Sequence, residues 1–330
     1  MTFETSPAHA PTAEPMAKGE FHGKGGELFL IWLTNAVLTA LTLGIYFAWG
    51  KVRLYRFFYS NTEFAGSRFR FTGNGKEIFI GTLKAVGVIL LLYAGFFGGN
   101  FLAGQSGIPG LSIVLTAAFL GTFLFLSQFA VYATMGYRAS RARFREIAFR
   151  LEGNPWTFAR EALPYLLFGV VTLGLAMPYY THWKIGRIYN NLKFGSLDFA
   201  WDAEAGAYWR LALKGFFLSL LTFGVYYFFW LPRWFAFVQR HLSVGGCRFH
   251  GDIKPGELFK LTVTNLLLMV FTLGFGAAWV MTRSMRFFLT RMALKHPSLL
   301  KSSLQVPRQK TGVTGEAMGD AMDMGVGLGF

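Results

Sequence analysis

Five stretches of this chain contain no Lys, Arg, Asp or Glu: Leu28–Gly50, Ala85–Tyr137, Ala162–Thr181, Gly215–Leu231 and Leu261–Thr282. A helix needs about 20 apolar residues to cross a bilayer. Ala85–Tyr137 therefore has room for two crossings, carried by Ile78–Leu102 and Leu111–Met135. Counted this way, the pattern predicts six membrane-embedded helices. Between them lie segments that mix Arg and Lys with aromatic rings, such as Lys51, Arg53 and Arg56 among Val52, Leu54, Tyr55, Phe57 and Phe58. These read as amphipathic helices lying in the membrane interface. Each ends near a Gly followed by alternating polar and apolar positions, as in Gly66-Ser67-Arg68-Phe69-Arg70-Phe71. A period of two after a turn residue predicts a short strand. The fold class expected is an all-α polytopic membrane protein with about six embedded helices, interfacial amphipathic helices and short β elements between them.

The same phrase recurs along the chain. Thr-(Leu/Phe)-Gly, an aromatic stretch, a Trp and an Arg appear from Thr42, Thr172, Thr222 and Thr272. A fixed period marks one supersecondary unit used several times. An entry phrase precedes each helix, with Glu27, Glu77 and Glu257 in the first turn, where the helix dipole favours a negative charge. Gly and Thr in the Thr-Leu-Gly phrase invite a kink or turn. A degenerate copy lies at Tyr137–Phe158, with Arg138, Arg141, Arg143 and Arg145 as its basic arm.

Charge changes the picture only slightly. The formal net charge is +15, but the basic residues flank apolar helices, so anionic lipid headgroups are the expected partner and nucleic acid is not. The one cysteine, Cys247, excludes an internal disulfide or a CxxC motif. Residues 1–20 and 296–330 read as disordered or flexible tails around a single domain at 21–295. No positively charged secretory signal precedes the first apolar run.

The Thr42–Arg53 phrase, Arg68-Phe69-Arg70-Phe71-Thr72-Gly73, and the Gly-Glu-Leu-Phe phrases at Gly26–Phe29 and Gly256–Phe259 together resemble the YjgN-like family of bacterial inner-membrane proteins, a domain-of-unknown-function family. The resemblance covers roughly Phe21 to Lys295. It implies a multi-pass protein of the bacterial inner membrane and implies no reaction. The second Thr-Leu-Gly copy departs from the pattern, since Pro178 and a longer spacing separate Gly174 from Trp183.

No catalytic constellation, cofactor motif or metal motif stands out. Gly73-Asn74-Gly75-Lys76-Glu77 lacks the spacing of a phosphate loop. Charged and polar residues at membrane depth are the better lead. Asn35, Asn265, Lys84 and Lys214 form a candidate polar path for a small polar solute or ion, as in a transporter or channel. The alternative is a non-transporting module that organises anionic lipid, or docks a second copy or another membrane protein. Its contacts would be Lys51, Arg53, Arg56, Arg141, Arg143, Arg187, Arg233, Arg283 and Arg286. Simple crossings share the basic segments almost evenly between the two membrane faces. Thr-Leu-Gly segments acting as re-entrant turns would gather every basic arm on one face.

Overall fold

The computed structural model describes residues 16–295; the remainder of both expected tails lies outside the described residues. Ten strands and ten helices follow one another as five strand–helix–helix–strand units. The first unit is β1 (Ala17–Phe21), α1 (Gly25–Leu41), α2 (Phe47–Ser60) and β2 (Thr62–Phe64). The second is β3 (Ser67–Phe71), α3 (Gly75–Ser106), α4 (Leu111–Arg141) and β4 (Ala142–Phe144). The third is β5 (Ile147–Leu151), α5 (Pro155–Val171), α6 (Met177–Tyr189) and β6 (Leu192–Phe194). The fourth is β7 (Leu197–Trp201), α7 (Ala205–Leu221), α8 (Tyr227–His241) and β8 (Leu242–Val244). The fifth is β9 (Cys247–Gly251), α9 (Pro255–Phe271), α10 (Ala277–Leu289) and β10 (Met292–Leu294). Strand β1 takes up residues 17–20, which the sequence had assigned to the tail.

The strands overturn the all-α expectation. They pair antiparallel in chain order, and β1 pairs with both β2 and β10, so the sheet closes into a ten-stranded barrel. Each strand has only three or five residues, as in β2 and β3, so no single segment announces a sheet. The barrel exists because each unit contributes a strand before and a strand after its helices. At one barrel end the pairs Phe21–Thr62, Phe71–Ala142, Leu151–Leu192, Trp201–Leu242 and Gly251–Met292 lead into and out of helices. At the other end tight turns join neighbouring units, with left-handed backbone at Ala65–Gly66, Arg145–Glu146 and Gly245–Gly246, as two-residue hairpins require. All five helix pairs therefore stand on the same rim.

Inward-facing residues fill the barrel. Phe144, Phe194, Val244, Cys247 and Leu294 are buried, with Phe64, Phe69, Phe149, Phe199 and Phe249 packed against them. Ring centroids approach to 4.8 Å between Phe69 and Phe144 and 4.9 Å between Phe149 and Phe194. Each buried ring or aliphatic chain contributes about 1.5–3 kcal/mol. The barrel is a solid plug.

Above it the even-numbered helices form an inner ring. The Tyr180 hydroxyl of α6 donates to Gln128 of α4, Phe235 of α8 lies tilted 5.9 Å from Phe288 of α10, and α2 and α10 share a buried cluster around Phe57 and Ala278. The odd-numbered helices lie outside this ring, with Leu30, Leu33, Val37 and Leu41 of α1 among the large apolar residues they expose. At the base of each outer helix one side chain locks into the core. Leu28, Ile78, Phe158, Tyr208 and Leu258 are 0–3% exposed.

The expectation of six crossings is also corrected. Among the described residues only α3 and α4 are long and apolar enough to cross a membrane. Each other uncharged run is folded back on itself. Leu28–Gly50, for example, holds most of α1, a turn at Thr42–Gly44 and the start of α2. A run folded in half and a run that crosses once have the same composition, which is why counting charges misread them.

Candidate lipid interface

The four short helix pairs end in one and the same turn. Leu43 and Gly44 are both left-handed, with φ of 49° and 93°. The Gly44 amide donates to Thr39 O at 2.8 Å, and its counterparts Gly174, Gly224 and Gly274 do likewise at 2.7–2.8 Å. The Thr42 hydroxyl donates to Leu38 O at 2.7 Å and accepts from the Tyr46 amide at 3.0 Å. Thr172, Thr222 and Thr272 repeat this bridge. The Thr-Leu-Gly phrase is thus a turn that satisfies its own backbone. In hydrocarbon, where no water is on hand, every backbone group must find such a partner.

The residue at the apex points straight out. Leu43 and Leu173 are 95% exposed, Phe223 98% and Leu273 88%. A large apolar side chain in that state, flanked by exposed Leu41, Ile45, Val171, Leu221, Val225 and Phe271, belongs in lipid. The α3–α4 tip is different. Gln105, Ser106, Gly107 and Gly110 are exposed there, as suits water. At 1.5 Å per residue, the 17 residues of α1 reach about 25 Å and the 32 of α3 about 48 Å. One hairpin stands well clear of the other four.

A belt of cations marks a level on this crown. Arg53, Arg233 and Arg283 are exposed and occupy the same place on α2, α8 and α10. Arg283 donates to Thr264 Oγ1 of α9 at 3.0 Å. Lys84 and Lys214 hold the place of Thr264 on α3 and α7 and are exposed too. Lys84 and Lys214 of the candidate polar path thus share this belt with Arg53, Arg233 and Arg283 of the candidate lipid contacts. From Lys84 to the end of α3 is about 33 Å, close to the hydrocarbon thickness of about 30 Å.

The other basic candidates are engaged elsewhere. Arg56 donates to Gly73 O, and Arg286 to Phe21 O and Gly23 O, so both tie one unit to the entry of the next. Arg141 pairs with Glu77 at 2.5 Å and Arg187 with Glu161 at 3.1 Å, linking the two helices of a unit at the rim. Arg291 does the same with Glu257, and this hydrogen bond holds the Glu257 carboxyl below its usual range. Arg143 lies on β4, in register with Arg70. Lys51 turns inward and is 9% exposed. Its Nζ has no hydrogen-bond partner and lies 6.0 Å from the Tyr55 ring, with Arg138 5.4 Å from that same ring.

Asn35 and Asn265 are buried but not brought together, since α10 lies between α1 and α9. Each bonds within its own helix pair, Asn35 to Gly50 O at 3.0 Å and Asn265 to Ser284 Oγ at 3.2 Å. Among the described residues no group of His, Cys, Asp and Glu is placed to hold a metal. Sequence reasoning missed the apex residues as a set, although their phrase was visible, and missed buried Gln128. Gln128 had a signal, the one side-chain amide in the uncharged stretch Leu111–Met135.

Residues 16–237 and 216–321 match a family described as bacterial protein of unknown function, DUF898. The chain is 31% identical over 107 residues to the inner membrane protein YjgN of Escherichia coli strain K12, covering 32% of this chain and 25% of that one. It is 29% identical over 150 residues to inner membrane protein YjgN of Salmonella typhimurium, covering 44% of this chain and 35% of that one. The matched stretches thus span between a quarter and about a third of these relatives' lengths. No solved structure matches the chain.

Proposed function

Because the chain belongs to the DUF898 family of bacterial proteins, a YjgN-like family of unknown function, we propose that it is an inner-membrane module that holds anionic lipid and transports nothing through its barrel. In this reading the barrel stays in water, four hairpins dip into the near half of the bilayer, and α3–α4 crosses it. The carrying observation is the set of outward-pointing apexes Leu43, Leu173, Phe223 and Leu273 on self-satisfied turns. With the belt at phosphate level, those apexes come to rest near the bilayer midplane and the polar α3–α4 tip emerges on the far side. The Phe-filled barrel supports this reading over transport, since it leaves no passage along its axis.

Each basic residue near an anionic surface is worth about 1 kcal/mol. Replacing Arg53, Arg233 and Arg283 together by Gln should then weaken selection of phosphatidylglycerol over phosphatidylcholine on the order of a hundredfold. Spin-labelled lipids around the reconstituted protein measure that ratio directly. Equal selectivity in the wild type and the triple variant would end this reading. A solute flux into vesicles that depends on Asn35 and Asn265 would favour transport instead.

A further inference from the structure

One position decides how closely each short helix pair packs. In the first unit it holds Gly50, facing Asn35. A Cβ there would stand 3.0 Å from Asn35 Cγ, so the helices touch. In the fourth unit the same two places hold Trp230 and Gly215, and the indole fills the space above the glycine. In the third they hold two rings, Tyr180 and Tyr165. In the fifth they hold Val280 and Asn265. Val280 carries the Cβ that Gly50 lacks, yet is too small to fill the space as Trp230 does.

The result is a groove of about 340 Å³ between α8, α9 and α10. Leu231, Leu261 and Met269 line it, and Tyr227 and Leu266, 40% and 60% exposed, stand at its rim on the lipid-facing surface. That volume falls within the range of about 300–1,000 Å³ typical of ligand sites. Asn265 and Ser284 are its polar wall, and Asn265 Oδ1 is buried without a hydrogen-bond partner. Beside them Arg283, exposed, bonds Thr264.

We propose that this groove is a site for one acyl chain of an anionic phospholipid. The phosphate meets Arg283, an ester carbonyl accepts from the Ser284 hydroxyl, and the chain runs toward the hairpin tip along Leu266, Met269 and Val280. A cation one residue along the chain from groove-lining Ser284, an apolar bed open to the lipid-facing surface and a hydroxyl on its wall together select this occupant. The inference rests on the reading of the hairpins as bilayer-inserted, and it adds a discrete bound lipid to the loose selectivity of the belt.

The test is native mass spectrometry of the full chain, purified from vesicles of phosphatidylglycerol and phosphatidylcholine and washed with detergent. The wild type should retain one phosphatidylglycerol. Val280→Gly, which restores the close packing of the first unit, and Met269→Trp, which fills the bed, should each cut retention about tenfold or more, as loss of roughly 1.4 kcal/mol of binding implies. Circular dichroism confirms that each variant is folded, and two variants acting by different means guard against one failing. Unchanged retention in both, or no retained lipid in the wild type, would overturn the site. A wild type that retains its lipid in a Val280-dependent way while showing no lipid-charge selectivity at the belt would sink the belt reading alone. Intact belt selectivity with no retained lipid would sink the groove alone.

Discussion

Trp230 lies against Gly215 so closely that a Cβ on the glycine would fall 2.1 Å from the indole, and its Nε1 donates to Leu211 O at 3.0 Å. Helices α7 and α8 are joined by this fit. Gly215→Ala should therefore destabilise the protein by about 1–3 kcal/mol through overpacking, read as a lower midpoint in detergent unfolding. The same change at Gly95, where an added Cβ meets nothing within 4 Å, should leave the midpoint unchanged or slightly raised.

The hairpin tips make a second prediction. Phe223→Asp places a charge where the apex enters lipid, at a cost of about 2.5–3.5 kcal/mol near the bilayer centre. The fourth hairpin should then leave the bilayer, and tryptophan fluorescence should lose part of its quenching by lipids brominated in the upper part of the chain, where Trp230 sits below Arg233. Phe223→Leu, which copies the other tips, should keep it.

Thr222→Val tests the turn itself. It removes the acceptor for the Tyr226 amide and the donor to Leu218 O while conserving volume. An unpaired buried amide costs about 1–3 kcal/mol. Faster amide exchange at Tyr226 than in the wild type is the expected signal. Equal exchange would mean that the threonine bridge is dispensable.

Topology is tested with single cysteines in a Cys247→Ser background. Ser196→Cys, in a barrel turn, and Ser106→Cys, at the α3–α4 tip, should react with impermeant thiol reagents from opposite faces. Phe223→Cys should be protected from both. Labelling of Ser106→Cys and Ser196→Cys from one face would rule out a crossing by α3 and α4.

The Glu257–Arg291 pair gives a pH signature. The folded carboxyl titrates below its ordinary value of 4.5. Its contribution is complete above that value and disappears as pH falls through the lowered folded pKa. Thermal melts of the wild type and Arg291→Ala should therefore differ by a constant gap from pH 7 down to about 4.5 and by a smaller one below it, the remainder being the Arg291 contacts with Phe287.

Local turns and short strands were legible in the residues, while the number of helices was not. The Thr-Leu-Gly phrase and the Gly-Ser alternation placed turns and strands where they are found. What local pattern could not show was closure, because Phe71 pairs with Ala142 across an entire helix pair and Ala17 pairs with Leu294 across the whole domain. Neither partner differs in kind from any other strand residue. Burial of charge was equally hidden. Lys51 and Arg53 are two residues apart on α2, one 9% exposed and the other facing out, and only the position of α4 decides between them. The groove needed the comparison of Gly50 with Val280, whose meaning appears only when their helices are superposed by place in the unit.

The pairing of β1 with β10 has a consequence for biogenesis. As the chain is made, hairpins can enter the membrane one after another, but β1 and the newest strand both keep bare edges until Met292–Leu294 arrives. An unpaired edge is a template for joining another chain. A ribosome stalled in the fifth unit would release a product already seated in lipid yet open like a split ring, and such truncations should be sticky and short-lived. Met292–Leu294 act as the clasp that reports a closed ring.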